Sequence, residues 1–237
     1  MPKRFREDVE KWRQMLRFRN VQRTWHFAPL VCVPCILFHG AILSIEKQDE
    51  LGLTVPQRES RDADIAKGVG GVVKLSRLPY WKMFAKGMRT GKPEAILELT
   101  IDPIIWEGTY FGNANVWEIG WKTGESLEFA SEKVFVSPSK WECASPPEIY
   151  VPEDLPLKGT LIKIYTVLEE ERRELSDCLH RLEITGGVDV FAAGFSAPYP
   201  DTCRDEYLKN QPEQFKPLRE YLRSVSEDSL KRGIEIG

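Results

Sequence analysis

No lysine, arginine, aspartate or glutamate occurs between Arg23 and Glu46. An uncharged run of this size is a membrane-span candidate, because about 20 apolar residues in one helix cross a bilayer. Its internal punctuation argues against that helix: Pro29 and Pro34 interrupt it, Gly40 stops it, and His26 and His39 add imidazoles. Pro34 suits the first turn of a short helix, where a missing N–H costs nothing. Gly40 suits the position just past that helix, where a positive φ is commonly needed. The run therefore reads as a strand from Thr24 to Ala28, a helix from about Val33 to Phe38, a glycine stop, and an extended segment from Ala41. His26 falls near the end of a buried strand, beside the start of a helix. No membrane partner is expected.

Upstream, Phe5, Val9, Trp12 and Leu16 recur at helical spacing, which predicts one amphipathic helix over residues 2–18 packed on a core. Residues 1–23 carry a local charge of +5 against −3 for the whole chain. A solvated basic face is the ordinary reading of such an arm, and contact with nucleic acid the sharper one. Downstream, residues 46–67 lack sustained periodicity and read as a loop. Strands are expected at 72–76, 95–101, 148–151, 161–167 and 188–192, with helices at about 168–182 and 214–233. Short strands mixed with short helices, without regular alternation, give the α+β class. The organisation expected is an N-terminal helix over residues 1–23, a core over 24–167, and a helical C-terminal extension over 168–237 belonging to the same compact unit.

Five scattered cysteines suit a reducing cytoplasm, and the amino terminus shows no apolar targeting segment. Cys32 and Cys35 form a Cys-x-x-Cys pair, which in principle is a redox site or half a zinc site. With no second pair and no thioredoxin-like frame, small buried cysteines are the preferred reading, and no metal is expected. The glycines at 68, 70 and 71 precede a strand instead of following one, so they are not a dinucleotide fingerprint.

Several segments, taken in order, resemble one family. The run His26-Phe27-Ala28, Pro34, Ile36-Leu37, Gly40, Ile42-Leu43-Ser44 is similar to the opening motif of the DarT family, toxin-type ADP-ribosyltransferases that use NAD to modify nucleic acid. Arg61-Asp62, Val73-Lys74-Leu75-Ser76, Pro79-Tyr80-Trp81-Lys82-Met83, Phe111-Gly112-Asn113-Ala114 and Pro147-Glu148-Ile149-Tyr150-Val151-Pro152 resemble later segments in the family's order. The likeness spans about residues 24–165. The chain departs from the family at Cys32, where an asparagine is frequent, and at Pro29, where a second histidine is common.

The resemblance implies a split mixed β-sheet core and NAD as co-substrate. It makes Glu148 the catalytic carboxylate, with Arg61 assisting. By residue type alone Glu148 reads as a solvated strand-end glutamate. Near a ribose, however, a carboxylate stabilises an oxocarbenium-like transition state and takes a proton from the nucleophile. His26, Phe27, Ala28, Ser76 and Tyr80 would line the nicotinamide–ribose pocket, and Trp141 and Asn113 would meet the acceptor. Arg58 and Arg77 compete with Arg61 for phosphate. The acceptor implied is a base of single-stranded nucleic acid, DNA first; RNA or a protein side chain is the alternative, as is a non-catalytic binding module. A toxin of this kind, with a role in antiviral defence, implies a cognate antitoxin, either a macrodomain hydrolase or a blocking protein.

Overall fold

In the computed structural model, residues 3–53, 61–78, 93–114, 118–136, 147–184, 189–192 and 215–232 are described. Their strands are β1 (Thr24–Pro29), β2 (Ala41–Ile42), β3 (Val72–Ser76), β4 (Glu94–Leu99), β5 (Tyr110–Gly112), β6 (Thr123–Gly124), β7 (Glu148–Pro152), β8 (Leu155–Pro156), β9 (Leu161–Thr166) and β10 (Asp189–Ala192). The helices are α1 (Val9–Phe18), α2 (Val33–Phe38), α3 (Ile45–Glu50), α4 (Arg61–Ala66), α5 (Leu127–Phe129), α6 (Glu169–Arg181), α7 (residues 215–224) and α8 (Glu227–Arg232). Eight strands form one sheet in the order β10-β9-β4-β1-β3-β7-β5-β6, and β2 pairs separately with β8. Only β9 and β10 run parallel among these pairs. This is the mixed α+β sheet with flanking helices that the sequence leads one to expect.

The sheet is pinched at its centre. β1 and β4 pair at six positions, whereas β1 and β3 share one, Trp25 with Ser76. Two four-stranded halves thus join at a single point beside the uncharged run. That run folds as its punctuation suggests: Pro34 lies in the first turn of α2, and Gly40 takes a φ of 63° just past it. Among the described residues no helix is long and apolar enough to cross a membrane.

One hydrophobic cluster joins Trp12 and Leu16 of α1, Leu97 and Leu99 of β4, Leu175 of α6, Phe215 and Leu222 of α7, and Leu230 of α8. The final stretch of chain therefore contributes both a sheet strand and core side chains.

Three expectations change. The N-terminal helix begins only at Val9, because residues 4–6 run extended against 105–107: Arg6 N–H donates to Ile105 at 3.0 Å, and Glu107 N–H to Arg4 at 2.8 Å. The loop expected over 46–67 holds α3 and α4; α3 has six residues, too few to show two turns of periodicity, and is started by Ser44 accepting from Lys47 N–H at 3.2 Å. The tail helix breaks at residues 225–226, where Ser226 Oγ accepts from Ser229 N–H at 3.3 Å and opens α8.

Helix α6 is anchored at its first turn by Glu171, which is fully buried and accepts from Val167 N–H at 3.0 Å and Leu168 N–H at 2.9 Å. Burial pushes its carboxyl up to about 8. The folded protein then holds this proton more tightly than the unfolded chain, so the stability it confers is full below the ordinary glutamate value and is lost as pH rises toward 8. Melting temperatures taken from pH 5 to pH 8 should fall in the wild type. They should fall less in Glu171→Gln, which keeps an acceptor but cannot ionise.

Candidate active site

Register pairing draws one line of residues across all eight strands of the sheet. Asp189 faces Lys163, Lys163 faces Glu98, and Glu98 faces Trp25. Trp25 then faces Ser76, Ser76 faces Glu148, Glu148 faces Gly112, and Gly112 faces Thr123. Opposed residues project to the same side of a sheet. Their neighbours His26, Leu75, Leu97, Phe111, Ile149 and Ile164 are buried on the other side, which is the core. The line is therefore the wetter face, and it carries three carboxylates, Asp189 at the margin and Glu98 and Glu148 nearer the centre. Glu98 is already neutralised, accepting from Arg23 Nε at 2.9 Å and from the Tyr165 hydroxyl at 2.7 Å.

Glu148 is held differently. Tyr150, two residues along β7 and so on the same face, donates its hydroxyl to Glu148 Oε2 at 2.6 Å. Trp121 Nε1 in turn donates to the Tyr150 oxygen at 3.0 Å, and the Tyr110 ring stacks on Tyr150 with centroids 4.9 Å apart. Tyr150 is fully buried, and burial followed by the nearby Glu148 charge raises its hydroxyl far above the usual phenol range. It therefore remains a proton donor at any working pH. This brace depends on Gly112: a Cβ there would lie 2.8 Å from Tyr150 Cε2 and 3.0 Å from Trp121 Nε1. A carboxylate fixed by a chain of donors at a strand end is a preorganised electrostatic group, able to stabilise positive charge or receive a proton.

No family model and no curated protein matches the sequence. Solved structures do match the fold. Thermus sp. 2.9 DarT in complex with NAD+ superposes with a TM-score of 0.53 at 13% identity, over 73% of this chain and 95% of that one. The same protein in complex with ADP-ribosylated ssDNA gives 0.51 at 13% identity, over 73% and 94%. Thermosipho africanus DarTG in complex with ADP-ribose gives 0.56 at 12% identity, over 72% of this chain and 50% of that one. The fold is DarT-like.

Within this DarT-like sheet the residues singled out from sequence fall into two groups. Ser76 and Glu148 are register partners, and Phe27 lies two residues beyond Trp25 on the same face. His26 and Ala28 are buried on the opposite side. His26 Nδ1 lies 2.9 Å from the Lys74 carbonyl, which can only accept, so Nδ1 carries the proton. Arg61 opens α4 and is ion-paired with Asp49 of α3. Asn113 closes its own hairpin, accepting from Lys122 N–H at 2.7 Å and donating to Gly120 at 3.3 Å. Tyr80, Trp141 and Arg58 lie outside the described residues.

Cys32 and Cys35 are buried, and burial pushes the Cys35 thiol up to about 11, away from the thiolate that metal binding and redox exchange require. His39 Nε2 sits 3.2 Å from the Leu230 carbonyl and helps seat α8 on α2. Among the described residues no group of three or more metal-ligating side chains comes together.

Sequence reasoning overlooked Tyr150, Trp121 and Gly112. Tyr150 had a legible signal, since its two-residue offset from Glu148 on a strand fixes their common face. Replacing Tyr150 with phenylalanine removes one hydroxyl and a donor to the charged form. The acid limb of any Glu148-dependent activity should then shift to higher pH, with a loss of about tenfold, the scale of one hydrogen bond to a charged group. Gly112→Ala should reproduce that loss by displacing the two rings. Initial rates against pH for both variants check these outcomes.

Proposed function

We propose that this protein is an NAD-dependent ADP-ribosyltransferase that modifies a base of single-stranded nucleic acid, with DNA the first acceptor to test. The observation that carries the reading is the fixed Glu148 carboxylate, in register with Ser76 on a DarT-like sheet. Solved relatives of that sheet hold NAD+ and ADP-ribosylated ssDNA.

Bound NAD supplies an ADP-ribosyl group on a cationic nicotinamide leaving group. The partly exposed carboxylate at the start of β7 suits such a ligand, since the Tyr150 hydroxyl fixes its orientation. Glu148 then faces the ribose, holds its hydroxyl and offsets positive charge at the reacting carbon. The same oxygen pair accepts the proton that the attacking base gives up. Ser76 and Phe27 line the floor of the pocket, and His26, spanning to the Lys74 carbonyl, keeps the two sheet halves at their set distance. Tyr80, Trp141 and Asn113 remain our candidates for the nicotinamide and acceptor sides, with Arg61 assisting. An activity that marks DNA calls for a neutralising partner, either a hydrolase that removes the mark or a protein that covers the site. The buried thiols fit work in a reducing cytoplasm.

Pro29 and Cys32, which stand where the resemblance expects histidine and asparagine, favour a second reading: a binding module on the same fold without turnover. Incubation with NAD labelled in its ADP-ribose half, against single-stranded DNA, RNA and protein, separates the two. We expect label on single-stranded DNA, reduced by about a hundredfold to ten-thousandfold in Glu148→Gln, the range for losing a general base. Full activity in Glu148→Gln would overturn the site. Binding of NAD with no transfer to any acceptor selects the module.

A further inference from the structure

Arginines normally find carboxylates, yet two neighbouring ones here have none among the described residues. Arg19 follows α1 at its C-terminal end, and Arg77 is the residue after Ser76. Both are half-buried. Arg77 donates to the Val136 carbonyl and, at 3.3 Å, to the Arg19 carbonyl. Arg19 donates through Nη2 to Ser131 O and Oγ, each at 3.2 Å, and its Nε is buried without a hydrogen-bond partner. Neither guanidinium pairs with a carboxylate among the described residues. Even the adjacent Glu132 is exposed and pairs with neither. Burial and the Arg19 charge both disfavour the charged form of Arg77. Two partly desolvated cations side by side are a cost that a bound anion relieves.

We infer that Arg19 and Arg77 form a phosphate-binding site at the rim of the sheet, and that it takes a backbone phosphodiester of single-stranded nucleic acid. The guanidinium fork suits phosphate. Position favours a long ligand over NAD alone. Trp12 of α1 stacks on Phe111 with centroids 5.3 Å apart, and Phe111 lies on the core side, so α1 covers the side opposite Glu148. Arg77 reaches the end of that helix, one residue beyond Ser76. On this proposal the backbone of a strand that presents a base to Glu148 continues around the rim to the side of the sheet that α1 covers. The exposed Lys11 and Arg17 of α1 extend positive charge away from the site, along the path a polyanion follows.

The nucleic acid identity rests on the proposed function; the phosphate site does not, so the test reads binding without turnover. Fluorescence anisotropy of a labelled single-stranded DNA oligonucleotide, with no NAD present, is measured across a salt series. Arg19→Gln and Arg77→Gln are compared with Arg13→Gln, whose arginine is already paired with Glu10 at 2.7 Å. Because Arg77 ties two carbonyls together, melting curves accompany it, and Arg19→Gln carries the test if Arg77→Gln unfolds. We expect about tenfold weaker binding for Arg19→Gln, with the slope of log affinity on log salt shallower by about 0.7, one single-strand phosphate. Arg13→Gln should match the wild type. Calorimetry with NAD alone is the second arm: lost NAD affinity with intact oligonucleotide binding keeps the phosphate site but assigns it to the pyrophosphate. Equal behaviour of Arg19→Gln and Arg13→Gln in both arms overturns the proposal.

Discussion

A single register pair, Trp25 with Ser76, joins the two halves of the sheet, and everything proposed for the site depends on that narrow join. A fully zipped β1–β3 ladder would bond the Lys74 carbonyl to backbone. Here the His26 imidazole takes it instead, at 2.9 Å. An imidazole is a longer bridge than a peptide N–H, so it satisfies the buried acceptor while the strands diverge. On the far side Lys74 reaches Asp64 of α4, a buried carboxylate, which ties that helix to the same strand. The split is thus bridged by the His26 imidazole, and β3 is held from its other face by α4.

The right half of the sheet then orients one carboxylate with aromatic side chains. Tyr150 has the Tyr110 ring stacked on it, the Trp121 ring edge-on and Glu148 at its hydroxyl, so its position is over-determined. The left half treats its own carboxylate in the opposite way, saturating Glu98 with a cation and a phenol. Glu98 and Glu148, on one face, thus receive environments that push them toward different uses, one structural and one chemical.

Much of this was written in the chain at short range. Pro34 and Gly40 located α2, the glycines at 68, 70 and 71 located the start of β3, alternation located β4, and Pro147 and Pro152 bracketed β7. The ordered motifs pointed to the DarT-like sheet at an identity where whole-sequence comparison finds nothing. What stayed hidden depends on pairing between distant segments. Register alone puts Ser76 beside Glu148, and no local pattern states it. Trp121 reaches Tyr150 only because Asn113 closes the hairpin between β5 and β6, so the tryptophan looked like one aromatic among many. Phe5 continued the helical stripe of α1, but pairing with Trp106 overrode it. Helices of a single turn and a half, such as α3 and α4, are too short for periodicity to reveal.

Among the described residues the parallel strand β10, which follows α6, lies at one margin of the sheet and pairs with β9. A boundary drawn near residue 167 therefore does not mark a place where the molecule can be cut. Removing residues 168–237 would leave β9 paired with β4 alone and open its other edge, where Lys163 to Thr166 now face β10. It would also withdraw Phe215 and Leu222 from the common core. Such an edge recruits strands from other molecules, so a shortened chain would be expected to aggregate before its chemistry could be assayed.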